Sequence, residues 1–149
     1  MNERAMEAAV KLLKVRNYSR QELEQKLHNQ GYDEAAVGEA VADVTKRGYL
    51  NDAALCDMLL ERYVESAKYS LKETYLRLRR RGLSTALINE KIANWDVDSE
   101  YQAAIKIAKK YLNSKDKQDL HKIIRRLSAK GFKAATVSKV LAHLRDMSP

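Results

Sequence analysis

Three glycines, Gly31, Gly82 and Gly131, fall 51 and 49 residues apart, and the sequence around each is a variation on one pattern. A leucine stands four residues before each (Leu27, Leu78, Leu127), and a large apolar residue follows directly (Tyr32, Leu83, Phe132). Six and ten residues beyond come Val37 and Val41, Ile88 and Ile92, Val137 and Leu141. That four-residue step puts side chains on one face of a helix. Twelve residues before each glycine stand Ser19, Ser70 and Asp119, all types that cap a helix N-terminus. Glu22 and Glu73 follow the first two caps by three residues, so each pair reads as a capping box. The glycine then supplies the left-handed turn that ends the helix, where a Cβ would cost about 1 kcal/mol.

Upstream of each cap, at matching distances from the glycines, lies a second stripe: Ala5, Ala8 and Leu12; Cys56, Leu59 and Tyr63; Ile105, Ala108 and Leu112. Each unit therefore contains three helices, predicted over 3–16, 20–30 and 34–47; 52–67, 71–81 and 85–95; 99–113, 119–130 and 134–146. Asp33, Asp52 and Ser84 are further cap candidates, Ser99 with Gln102 reads as a third capping box, and Gly48 ends the helix before Asn51-Asp52. The only proline is the terminal Pro149, and no Asn-Gly or Asp-Gly hairpin signal occurs. The expected fold is all-α: three tandem three-helix repeats, 1–51, 52–98 and 99–149. A three-helix unit of this size buries little core alone, so neighbouring units should stack into an elongated, curved array.

Charge is distributed unevenly over these repeats. The first contains eight Lys or Arg against eight Asp or Glu, and so does the second. The third contains twelve against four, which accounts for the whole net charge of +8. An acidic partner follows, with nucleic acid first among the candidates. Within the third repeat Lys106, Lys109, Lys110, Lys115, Lys117, Lys122, Arg125, Arg126, Lys130 and Lys133 cluster around the first two helices and their connection. A second focus is Arg77, Arg79, Arg80 and Arg81. Cations there also favour the negative end of the helix dipole, so this run reads either as a binding patch or as capping energetics. Of the eight tyrosines, Tyr32, Tyr49 and Tyr63 fit core or helix-junction positions; Tyr69, Tyr75 and Tyr101 read either as packing residues or as stacking platforms.

Catalytic chemistry finds no foothold. The five glycines are isolated, and none precedes a Lys-Ser or Lys-Thr pair as a phosphate loop requires. His28, His121 and His143 are scattered, without a nucleophile partner or a metal-ligand spacing, and Cys56 sits on an apolar stripe. No enzyme activity, cofactor or metal is expected. Apolar runs fall far short of the roughly 20 residues of a membrane span, and the N-terminus does not read as a secretory signal. A cytoplasmic monomer is the expectation.

The stretch Ala9 to Leu27, with its LLxxRxxSxxELxxKL-like pattern from Leu12, resembles the RecX family. So do the junction Arg47-Gly-Tyr-Leu-Asn-Asp52 and the segments Leu78 to Leu83 and Leu127 to Phe132. The resemblance covers essentially the whole chain. It departs at Ala54 and Leu55, where the family usually has an Arg and an aromatic, and at Tyr69, where a Gly is common. It implies tandem three-helix repeats and negative regulation of the bacterial recombinase RecA. The family binds the RecA filament on DNA, lodges in its groove, and suppresses strand exchange, ATP hydrolysis and coprotease function, in DNA recombination, repair and the SOS response. On that reading the filament- or DNA-facing residues are Arg77, Arg79, Arg80, Arg81, Lys106, Lys109, Lys110, Lys122, Arg125, Arg126, Lys130 and Lys133. The other class of function open to the chain is a stand-alone, sequence-tolerant nucleic-acid binder.

Overall fold

Helix boundaries follow the caps closely. A computed structural model describes residues 3–95, 97–112 and 120–146. Among them are nine helices and no strand: α1 (Glu3–Val15), α2 (Arg20–Asn29), α3 (Glu34–Lys46), α4 (Asp52–Ser66), α5 (Leu71–Arg80), α6 (Thr85–Ile92), α7 (Val97–Leu112), α8 (Leu120–Ala129) and α9 (Ala134–Asp146). Ser19 forms the full capping box, accepting from the Glu22 amide while the Glu22 carboxylate accepts from the Ser19 amide. Asp33 and Ser84 cap α3 and α6 through the amides of Ala36 and Leu87, and Ser70 caps α5 through that of Glu73.

Two local expectations are corrected. The α4 cap is Asn51, whose side chain accepts from the Ala54 amide, while Asp52 accepts from the Arg20 amide of the preceding helix pair. Ser99 is no cap, because α7 opens two residues earlier and Ser99 lies inside its first turn. The acidic side chains suited to that end of the helix dipole are Asp98 and Glu100; Glu100 is buried and also accepts from the amides of Leu71 and Lys133. Of the core and helix-junction positions open to Tyr49 it takes the second, between α3 and α4, 45% exposed and with the Arg47 guanidinium 5.1 Å from its ring. The expected cap Asp119 and the cations Lys115 and Lys117 lie outside the described residues.

Compactness divides the chain into two units, Met1–Leu59 with Leu78–Lys91, and Leu60–Arg77 with Ile92–Pro149. In the first, α1, α2 and α3 pack mutually around Ala5, Ala9, Leu23, Leu27, Val37, Val41 and Val44. In the second, α7, α8 and α9 do the same around Ala104, Ala108, Ile123, Leu127, Phe132, Val137 and Val140. Helices α4, α5 and α6 each contribute one end to either unit. The repeat division at 51/52 and 98/99 thus describes how the chain is written, and we retain it as a proposal about its construction.

One junction occurs in each unit. In the first, the turn after α5 presses on the N-cap of α2: a Cβ on Gly82 (φ +83°) would lie 2.9 Å from Ser19 Oγ and 2.9 Å from Gln21 Cβ. In the second, the turn after α8 presses on the N-cap of α5. A Cβ on Gly131 (φ +91°) would lie 3.1 Å from Ser70 Oγ, and that hydroxyl donates to the Lys130 carbonyl at 2.8 Å. The cap serines are thereby fully buried and bonded, which removes the cost of an orphaned hydroxyl.

Candidate polyanion-binding site

Helix period decides which cations of the third repeat meet. On α7, Lys106 and Lys110 are one turn apart and share a face with Ile107 and Tyr111. That face, together with Lys130 after α8 and with Lys68 and Tyr69 before α5, lines a groove of about 340 Å³ within the second unit. Among the described residues four lysines line it and no carboxylate does. Lys106 is anchored there, its ammonium donating to the Ser66 carbonyl at 2.9 Å.

Two arginines flank the groove, each laid on an aromatic ring. The Arg126 guanidinium lies 4.2 Å from the Tyr111 ring centroid, and that of Arg77 lies 4.0 Å from Tyr69, whose ring meets Tyr63 edge-on at 5.5 Å. Stacking fixes a guanidinium plane and so lowers the entropic cost of presenting its N–H groups to an anion. The Tyr111 phenol reports the resulting field. Its hydrogen bond with Arg126 pulls its pKa below the usual tyrosine value, burial opposes this, and the charges of Lys130, Arg126 and Lys110 assist it.

The other expected cations are placed differently. Lys109, Arg125 and Lys133 are exposed and do not line the groove; Lys122 is half-buried on the same α8 stripe as Arg126. The arginine run at the end of α5 is not one patch. Arg77 pairs with Glu73 at 3.2 Å beside the groove, and Arg79 donates to the Leu83 carbonyl at 2.7 Å. Arg81 belongs to the first unit's junction, clasping Glu22 through two bonds of 3.0 and 3.2 Å and the Asn17 carbonyl through a third. Arg80 is exposed on the same unit.

Sequence reasoning missed Lys68 and Tyr111 and left Tyr69 undecided. The signal for Tyr69 was its register, since it stands thirteen residues before Gly82 as Tyr18 does before Gly31. Tyr101, also undecided, lies under Lys139, whose ammonium is 4.6 Å from its ring. Cys56 is fully buried; burial chiefly, with the charges of Asp57 and Asp52, pushes its thiol pKa up, which keeps it protonated and a poor nucleophile. Among the described residues no group of His, Cys, Asp and Glu is arranged to hold a metal, and no helix is long and apolar enough to cross a membrane.

Among the described residues, nine helices, glycine turns seated on serine caps, and a lysine groove floored by tyrosine define an all-α helical-repeat protein with a cationic groove. Residues 5–43 match the family described as RecX, first three-helix domain. The chain is 26% identical over 145 residues to the Regulatory protein RecX of Clostridioides difficile, covering 95% of this chain and 68% of that protein. It is 28% identical over 145 residues to that of Clostridium beijerinckii, covering 93% and 67%. It thus spans about two-thirds of the length of these relatives. The crystal structure of RecX from Lactobacillus salivarius superposes with a TM-score of 0.86 at 17% identity, covering 98% of this chain and 97% of that one. In sequence and in fold the chain is similar to RecX regulatory proteins, and its first three helices match that family's first domain.

Proposed function

We propose that this chain is a cytoplasmic negative regulator of the RecA recombinase. It docks in the groove of the RecA–DNA filament and suppresses strand exchange, ATP hydrolysis and coprotease activity, contributing no catalytic group of its own. Likeness to the RecX regulatory proteins supports the partner. The observation that carries the docking chemistry is the groove formed by Lys68, Lys106, Lys110 and Lys130, which is lined by no carboxylate among the described residues. Such a surface gains affinity by releasing counterions from a polyphosphate, so docking weakens steeply with salt.

The test is a titration of the recombinase's DNA-dependent ATPase. Inhibition at amounts well below one chain per recombinase supports filament regulation. Inhibition only when enough protein is present to coat the DNA favours the second reading, a stand-alone nucleic-acid binder, which the same groove would also serve. Reversing Lys106, Lys110 and Lys130 together to Glu is expected to raise the half-inhibitory concentration by about 100-fold at ~0.1 M salt with helix content unchanged; an unaltered titration rejects the electrostatic docking.

A further inference from the structure

The neutral first repeat hides a pocket that the charge census does not reveal. In the first unit a cavity of about 320 Å³ is lined by Arg16, Tyr18, Lys26 and Arg80 around Glu22. In the second, a cavity of about 310 Å³ adjoining the lysine groove is lined by Lys68, Tyr69, Arg77 and Lys130 around Glu73. Both have the same plan. The tyrosine directly precedes the N-cap serine, the carboxylate is the third residue after that serine, and a cation stands eight residues after the tyrosine (Lys26, Arg77). In each, a cation is laid on the tyrosine: the Arg16 guanidinium is 4.8 Å and the Lys26 ammonium 6.0 Å from the Tyr18 ring, as Arg77 is 4.0 Å from Tyr69.

The bookkeeping of charge is equal in the two pockets even though the surrounding repeats differ. Each lining counts three cations against one carboxylate; Glu22 is held by Arg81, which stands outside the first lining, whereas Glu73 is held by Arg77, which belongs to the second. Two of the three cations have moved by one position between the repeats, Arg16 against Lys68 and Arg80 against Lys130, and the cation count of the pocket is unchanged. Stacked cations beside a half-buried tyrosine form a flat, positively charged surface. A phosphate can take the N–H groups while its unpaired base lies against the ring, an arrangement open to a single strand and closed to a stacked duplex.

Resting on the polyanion-binding reading proposed above, we infer that the two junction pockets are equivalent subsites for the phosphates of single-stranded nucleic acid, one per unit. The first is built by Arg16, Tyr18 and Lys26, the second by Lys68, Tyr69 and Lys130. Strand binding is thereby spread over both units and is not a property of the basic third repeat alone.

The experiment uses the full chain and labelled oligothymidylate, with anisotropy read across a salt series. The double variants are Arg16→Ala with Lys26→Ala, and Lys68→Ala with Lys130→Ala; all four side chains belong to exposed residues, and circular dichroism checks folding. Each double variant is expected to weaken binding and to flatten the slope of log affinity against log salt by about 1.4, at ~0.7 per lost phosphate contact. An unchanged slope for the first pair overturns the inference. So does a duplex of equal length that binds as tightly and loses as much. Polyglutamate losing affinity equally in the variants would reassign the pockets to an acidic protein surface and overturn it as well. Measuring ATPase inhibition alongside separates the two claims. Wild-type inhibition with unaltered strand slopes refutes the duplicated pockets and leaves the regulator reading standing; flattened slopes without wild-type inhibition do the reverse.

Discussion

The first and third repeats carry the same scaffold under different surfaces. In each, three helices pack mutually, a leucine four residues before a positive-φ glycine is fully buried, and the helix after the glycine presents valines to the core. Yet the first repeat is neutral and the third holds the whole net charge. Fold and charge are therefore written on separate residues: the period-3.6 apolar positions set the packing, and the remaining helix faces are free to vary. The lysine groove and the two junction pockets refine this picture, because local geometry concentrates cations even where the repeat-wide balance is zero.

If the scaffolds are equivalent, their central leucines should be too. Leu27→Ala and Leu127→Ala each remove a fully buried side chain and are each expected to cost about 2–5 kcal/mol, read by urea unfolding. A difference between them well beyond that spread would break the equivalence of the two cores.

The glycines sharpen the comparison by differing in surroundings at nearly equal φ. At Gly31 (φ +96°) a Cβ meets nothing within 4 Å, whereas at Gly82 it meets Ser19 Oγ and Gln21 Cβ at 2.9 Å. Gly31→Ala is expected to cost about 1 kcal/mol for the left-handed backbone alone. Gly82→Ala should add about 1–3 kcal/mol for displacing a capped, buried serine. Gly131→Ala falls between, since its contacts are longer and include the flexible Lys72 chain. Equal losses at Gly31 and Gly82 would mean that the junction adapts at no cost.

Much of this was legible before the structure, and the reason is locality. Helix ends, the Ser19 capping box and the positive-φ glycines are decided within about four residues by hydrogen bonds that the chain makes to itself, and the boundaries of α3 and α9 fell within a residue of expectation. What escaped was decided across longer separations. Asp52 reads as a cap by type but bonds Arg20, 32 residues earlier. Glu100, which no sequence pattern singled out, bonds amides 29 and 33 residues away. Arg81 reads as one member of a basic run, while its partner Glu22 lies 59 residues upstream. The groove suffered likewise, because Lys68 and Tyr111 join it only when α7 is laid beside the segment before α5.

The Arg81–Glu22 clasp gives a small effect and the most diagnostic one. Both side chains are about a quarter exposed, at 23% and 25%, so Arg81→Ala is expected to cost about 1–2 kcal/mol at neutral pH. Burial pushes the Glu22 carboxyl up. The Arg81 hydrogen bond, the Ser19 amide and the charges of Arg81 and Arg16 together outweigh it and leave the pKa below the usual 4.5. A depressed folded-state pKa means that the unfolded chain binds the proton more readily. The contribution is therefore fully present above the unfolded value and is lost as pH falls through the folded one. Wild type and Arg81→Ala should thus differ most above the unfolded-state value and converge as pH falls below the depressed folded-state one. Lys130→Ala, at the position before Gly131 that Arg81 occupies before Gly82, should show no such convergence at Glu22, because Glu73 and not Glu22 lines its pocket. Parallel stability curves for the two variants would show that the clasp contributes no pH dependence, and with that the two junctions would differ in sequence alone.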